Sequence, residues 1–157
     1  MEFDDIILKR ALEIRNSWKD LEKLKILLDD WENEYAHNHD DIVERVLGEH
    51  LEEVWAKKAI EHGSNSLEDL LSILLDWPEA EYTKEEMEGG YKVTTTHCPI
   101  AAAYRAIDRA DYGASFHCIS DPYICRGFNK RIKHRKISSR MQCDEACVHF
   151  YTIDEDK

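Results

Sequence analysis

The residues best equipped for chemistry are thiols and imidazoles, and the thiols are unevenly placed. Cys98, Cys118, Cys125, Cys143 and Cys147 all fall in the second half of the chain, with none before residue 98. Cys143-x3-Cys147 has the spacing of half a structural zinc site, and Cys98, Cys118, Cys125 or His149 could complete the four ligands. Cys147 and His149 stand two apart in a predicted strand and so share a face. Three or four cysteines around an iron–sulfur cluster are a further option, although no ferredoxin-type spacing supports it. Plain burial is the alternative to all of these, with each thiol packing as a small apolar group.

Cys98 has a second use. It ends a predicted strand and precedes Pro99, which holds the place of a first helical residue. Its thiol is therefore expected near the free N–H groups of a helix start, a setting that favours the thiolate. A nucleophile or a metal anchor would both profit. His97 is a poor partner for it, because neighbours in a strand point to opposite faces. Asp121, before Pro122, reads first as a helix cap and second as a proton-handling acid. Residues 130–136 form a basic run; on an edge strand it guards against sheet-to-sheet association, and it could also draw in a small anion.

The elements that must carry these residues follow from periodicity. Ile7, Ile14, Leu21, Leu28 and Tyr35 recur every seven residues, which predicts one amphipathic helix over 4–35. The companion stripe fails at Lys25, as expected when a 3.6-residue helix drifts against a strict seven. The apolar stripe is a core face or, alternatively, the seam of a homodimer. A second helix stops at Gly63. Ser66 with Asp69 opens a third that ends near Trp77-Pro78. An acidic connector over 79–90 closes on Gly89-Gly90. After it the sequence predicts a strand over 91–96, a helix over 101–110, a short strand over 115–120, a helix ending at Gly127, and two strands over 131–141 and 148–153.

This order gives an α+β fold, with N-terminal helices packed on a small, mainly antiparallel sheet that carries two short helices. A length of 157 residues suits a single domain with a helical, acidic half (1–90) and a Cys/His-bearing α+β half (91–157). The first half carries 10 Lys and Arg against 25 Asp and Glu, the second 11 against 8, within a net charge of −12. Such a charge argues against nucleic acid as a partner. No apolar run reaches the roughly 20 residues that span a bilayer, so no membrane partner is expected. With no signal-like N-terminus, the expected address is the cytoplasm. A small-molecule ligand or substrate is the expected partner.

Several of these residues together carry a resemblance. Cys98-Pro99, the helix with Ala103 and Tyr104, Cys118, Asp121, Gly127-Phe128-Asn129 and the closing Cys143…Cys147-x-x-Phe150 resemble the L-2-amino-thiazoline-4-carboxylic acid hydrolase family over about 94–153. The same stretch is similar to 4-vinyl-reductase-type ligand-binding domains. The hydrolase resemblance implies ring opening of a small cyclic amidine-type substrate to an N-carbamoyl amino acid. It implies Cys98 as nucleophile or metal ligand, Asp121 handling protons and Asn129 orienting the substrate carboxylate. Cys125 and His149 add ligand-capable groups to the pattern, and Ala146 replaces a turn residue that is often glycine or aspartate. These departures favour a metal-bearing variant, with zinc or an iron–sulfur cluster held among Cys98, Cys118, Cys125, Cys143, Cys147 and His149. The other class left open is a non-catalytic ligand or redox sensor built on that centre.

Overall fold

The seven-residue stripe of the N-terminal segment folds as two helices rather than one. The computed structural model describes residues 2–142 and 146–154. In it α1 (Phe3–Arg15) ends at Asn16, and α2 (Leu21–Glu34) starts afresh with the Asp20 carboxylate accepting from the Lys23 N–H. The slip of the stripe at Lys25 thus belongs to a chain break just before it, not to helical drift. Ile7, Ala11 and Ile14 of α1 and Leu24, Leu28 and Trp31 of α2 are buried, whereas Leu21 at the break is 41% exposed.

The chain continues through α3 (Asp40–His62), α4 (Leu67–Leu74), β1 (Glu81–Met87), β2 (Gly90–His97), α5 (Pro99–Ala106) and α6 (Ala110–Gly113). A π-helical turn (Ala114–Cys118), α7 (Ser120–Phe128), β3 (Ile132–Ser138), a 3-10 turn (Arg140–Gln142) and β4 (Cys147–Ile153) complete it. Local signals decide several of these boundaries. Ser66 and Asp69 form the reciprocal capping box that opens α4. Cys98 caps α5, with Pro99 as its first residue.

Two expectations fail. The acidic connector is in part a strand: β1 pairs antiparallel with β2 through a turn where Gly89 adopts φ +78, which suits a residue without Cβ. The first 90 residues are therefore not all helical. The strand expected over 115–120 is helical instead, because Phe116 packs edge-on to Trp31 at 5.2 Å from within the helical layer. A short apolar run cannot choose between strand and helix by periodicity alone, and tertiary packing chose here.

The result is an α+β fold with a four-stranded antiparallel sheet in the order β1-β2-β4-β3. Both edges are charged. β1 is exposed throughout, and β3 turns Lys133 and Arg135 outward. One sheet face, with Val93, Tyr151 and Ile132, packs on Leu51 and Trp55 of α3, Leu70 and Leu71 of α4 and Ile124 and Phe128 of α7. A second cluster joins α1, α2 and α3 to Tyr104, Tyr112, Phe116 and Met141. Helices of the acidic half and elements of the basic half thus share both cores. Where α3 crosses α7 the backbones nearly touch: a Cβ on Gly127 would lie 2.5 Å from the Glu52 carbonyl oxygen and 2.7 Å from its Cα. That close approach seats α7 on α3 and fixes the height of its first turn above the sheet.

Candidate functional site

Alternation along β3 and β4 determines what looks at α7. In antiparallel pairing, directly opposed residues share a face. His134 lies opposite Tyr151, and Lys136 opposite His149. Cys147, His149 and Tyr151 of β4 therefore join His134 and Lys136 of β3 on the helix-covered side. Asp121, in the first turn of α7, comes down over them. His134 Nε2 lies 2.8 Å from His149 Nδ1, which is 3.8 Å from Asp121 Oδ2. The Tyr151 hydroxyl donates to Asp121 Oδ1 over a long 3.4 Å. The His134, His149 and Tyr151 rings lean on one another with centroids 5.1–5.8 Å apart.

Burial dominates the electrostatics of this cluster. It pushes His134 down to about 4 and lowers His149, so both imidazoles are neutral near pH 7. Asp121 pulls each the other way, and Lys136 reinforces the lowering. Tyr151 is raised by burial and by the carboxylate beside it, and remains a phenol. The His149 and Asp121 side chains keep 13% and 23% exposure, enough for solvent to reach the cluster.

Three thiols border it. Cys98 Sγ accepts from the Ala101 N–H at 3.4 Å, as its place at a helix start predicts. The expected thiolate does not follow, because burial raises Cys98 by more than the Ala101 and Ile100 N–H groups lower it. Cys147, buried, accepts from the Arg140 N–H at 3.1 Å. Cys118 faces the Ser139 hydroxyl at 4.0 Å and is raised by burial against the opposing pull of Lys136. Cys98, Cys118 and Cys147 stand near enough that a negative charge on one opposes charge on the others. Lys136 Nζ reaches the Cys118 carbonyl oxygen at 3.4 Å.

A second cation approaches from α1. Arg15 donates to the Phe116 carbonyl at 2.5 Å and to Ser120 Oγ at 2.7 Å, one residue before Asp121, whose carboxylate it attracts. Ser120 in turn donates to the His117 carbonyl. Behind it the Tyr104 hydroxyl meets His117 Nε2 at 2.9 Å, and burial keeps that imidazole neutral and that phenol protonated.

The structure thus brings Cys98, Cys118, Cys147, Asp121 and His149 together and leaves two expected residues outside. Asn129 closes the far end of α7, where its amide donates to the Asn65 carbonyl and its oxygen accepts from Arg131 N–H. Eight residues of helix put it about 12 Å from Asp121. Cys125 is buried in the core under α7, its thiol raised by burial. Cys143 lies outside the described residues. Asp121 is not the cap of α7, a place taken by Ile119, and its carboxylate is turned to the sheet. Tyr151 was not among the expected site residues, and His134 and Lys136 were expected only as members of the basic run over 130–136. The signal was present in the basic run, since alternate members of an edge strand face inward once the register is known. Among the described residues, Asp121, His134 and His149 are the group able to hold a metal ion, with ligand atoms within 4.8 Å of one another.

A family model described as L-2-amino-thiazoline-4-carboxylic acid hydrolase matches residues 30–151. Comparison with curated proteins and with solved structures returns no match. The matched stretch reaches from the third turn of α2 to β4, and so takes in α3, the cluster and all three bordering thiols.

Proposed function

Because the chain belongs to the L-2-amino-thiazoline-4-carboxylic acid hydrolase family, we propose that it hydrolyses a small, anionic, cyclic amidine at the Asp121–His134–His149 cluster. The observation that carries this reading is the convergence of a carboxylate and two neutral imidazoles in a half-buried cluster bordered by thiols and a lysine. In such a reaction water adds through oxygen to the amidine carbon between ring nitrogen and ring sulfur. The tetrahedral adduct then collapses with cleavage of the carbon–sulfur bond. Of the two protons of the water, one ends on the former ring nitrogen and one on the departing sulfur, and the product is an N-carbamoyl amino acid with a free thiol. The cluster's part is to lower the cost of taking that first proton from water, and neutral imidazoles and a carboxylate are suited to it. Lys136 supplies the positive charge that a substrate carboxylate seeks. Cys98, held as a thiol by burial, borders the cluster, and in this reading water is the nucleophile.

The test is the appearance of free thiol from 2-amino-thiazoline-4-carboxylate. His149→Ala and Asp121→Asn are expected to slow it by about 10²–10⁴, the usual worth of acid–base assistance, while the folded signal is retained. Cys98→Ser is expected to stay within a few-fold of the parent. A wild-type chain that releases no thiol from this substrate, or one indifferent to both cluster variants, overturns the reading. Complete loss in Cys98→Ser alone replaces water by a covalent thiol route.

A further inference from the structure

We propose that Asp121, His134 and His149 form a three-ligand site for one divalent transition-metal ion, with positions left open for water and substrate. The site deepens the hydrolytic reading by naming what would activate the water, and it rests on that reading only for its purpose.

Geometry comes first. A cation about 2.1 Å from each ligand atom separates those atoms by about 3.4 Å in a tetrahedron and about 3.0 Å in an octahedron. The separations here, 2.8 Å between the imidazole nitrogens and 3.8 Å from nitrogen to carboxylate oxygen, bracket that range. All three ligand atoms lie within 4.8 Å of one another, close enough for rotamer adjustment to admit the ion. The ligands sit on rigid parts: two neighbouring, paired strands and the first turn of α7, which Gly127 clamps to α3.

The bonding inventory points the same way. His134 Nε2, His149 Nδ1 and an Asp121 oxygen converge on one spot, yet a single proton between the imidazoles satisfies only two of the three. A cation satisfies all three at once. Two nitrogens and one oxygen suit zinc, iron(II) or cobalt(II) rather than magnesium or calcium. Three protein ligands with an open position are the arrangement of catalytic zinc, in contrast to the closed four-ligand structural sites that the cysteine spacing suggested. Tyr151, donating to the other oxygen of Asp121, is the kind of outer hydrogen bond that orients a ligating carboxylate. Lys136 and Arg15 are the cations nearby. Neither ligates, and both suit an anionic guest on the ion.

Cobalt(II) titration of the full chain, stripped beforehand with chelator, tests the site. The expected result is one equivalent per chain, with weak visible bands and no intense sulfur-to-cobalt absorption. Binding is expected to weaken at least about a hundred-fold in His134→Asn and Asp121→Asn, and to persist in Cys98→Ser and Cys118→Ser. Thermal unfolding of each apo variant separates lost ligation from lost folding, and added cobalt is expected to raise the midpoint of the parent but not of His134→Asn. No stoichiometric binding by folded wild type overturns the site. So does sulfur absorption that survives His134→Asn and vanishes in Cys118→Ser. Thiol release from the thiazoline is followed in parallel. Cobalt binding without hydrolysis keeps the site and removes the hydrolytic reading, whereas full hydrolysis by metal-free protein keeps that reading and removes the site.

Discussion

Lys136 shows how much a single side chain depends on the strand that carries it. Its neighbours Arg135 and Ile137 point to solvent, while its own ammonium turns inward to the Cys118 carbonyl beside His149. A hydrogen bond to a charged group contributes about 1.5–3 kcal/mol. Lys136→Met is therefore expected to raise KM for an anionic thiazoline roughly ten-fold or more, with kcat little changed, since the carboxylate does not alter during ring opening. Steady-state kinetics at two ionic strengths check this, and the defect should shrink at high salt. Residue identity alone did not disclose this role. Cys98 as the cap of α5 was legible because cap, proline and helix are adjacent in sequence. Its ionisation was not, because the core that buries it is assembled from elements far away along the chain. His134 was hidden inside a basic run, where only the pairing register tells inward from outward.

Among the elements, α7 is the one that its seating controls. An alanine at 127 gains about 1 kcal/mol of helix propensity over glycine. It also forces a methyl group against the backbone of Glu52, which cannot yield as a flexible side chain would. Overpacking of this kind costs about 1–3 kcal/mol, so Gly127→Ala is expected to destabilise on balance, with a lower unfolding midpoint and weaker thiol release as Asp121 lifts from the sheet. A second element-level device joins the α2–α3 connector to α6. His37 hydrogen-bonds Asp40 and Asp111 and stacks on Tyr112 at 4.3 Å. Burial lowers its proton affinity, but the two carboxylates overcome that and hold it above the usual 6.5. A group raised in the fold stabilises fully below its unfolded value and loses that contribution as pH rises through its folded value. The His37 contribution therefore fades from pH 6 to pH 8, against the opposite trend of the buried, neutral His117, His134 and His149, so denaturant midpoints should rise over that range and His37→Gln should steepen the rise. Capping motifs such as Ser66–Asp69 were readable because they are local. The break at residues 16–20 was not, since the seven-residue stripe crosses it almost unbroken.

For the whole molecule, most of the apolar stripe that suggested a dimer seam is buried within one chain, with Leu21 left 41% exposed. Leu24, Leu28 and Trp31 are wholly buried against α1, α3 and the π-helical turn. Leu28→Ala is accordingly expected to cost about 2–5 kcal/mol as a fall in unfolding midpoint that does not depend on protein concentration. Sedimentation beside calorimetry distinguishes this from a dissociating dimer. The α+β class was legible from the change of period after Gly90. Asp121 and His149 were candidates from the sequence, but their convergence with His134 was not legible, because the three residues come from three elements that meet only through the pairing of β3 with β4 and the seating of α7 on it.

Arg15 adds a matter of timing. It precedes the family-matched stretch, yet it holds Ser120, 105 residues further on, at the root of the helix that bears Asp121. On a ribosome this arginine emerges long before its partners, and contacts of such separation form slowly because the loop between them must close first. A nascent chain would present α1 and α2 early and complete the cluster only when α7 folds back onto α1. Slowed translation across 116–121, or a chaperone bound to α1, would then delay activity without altering a single cluster residue.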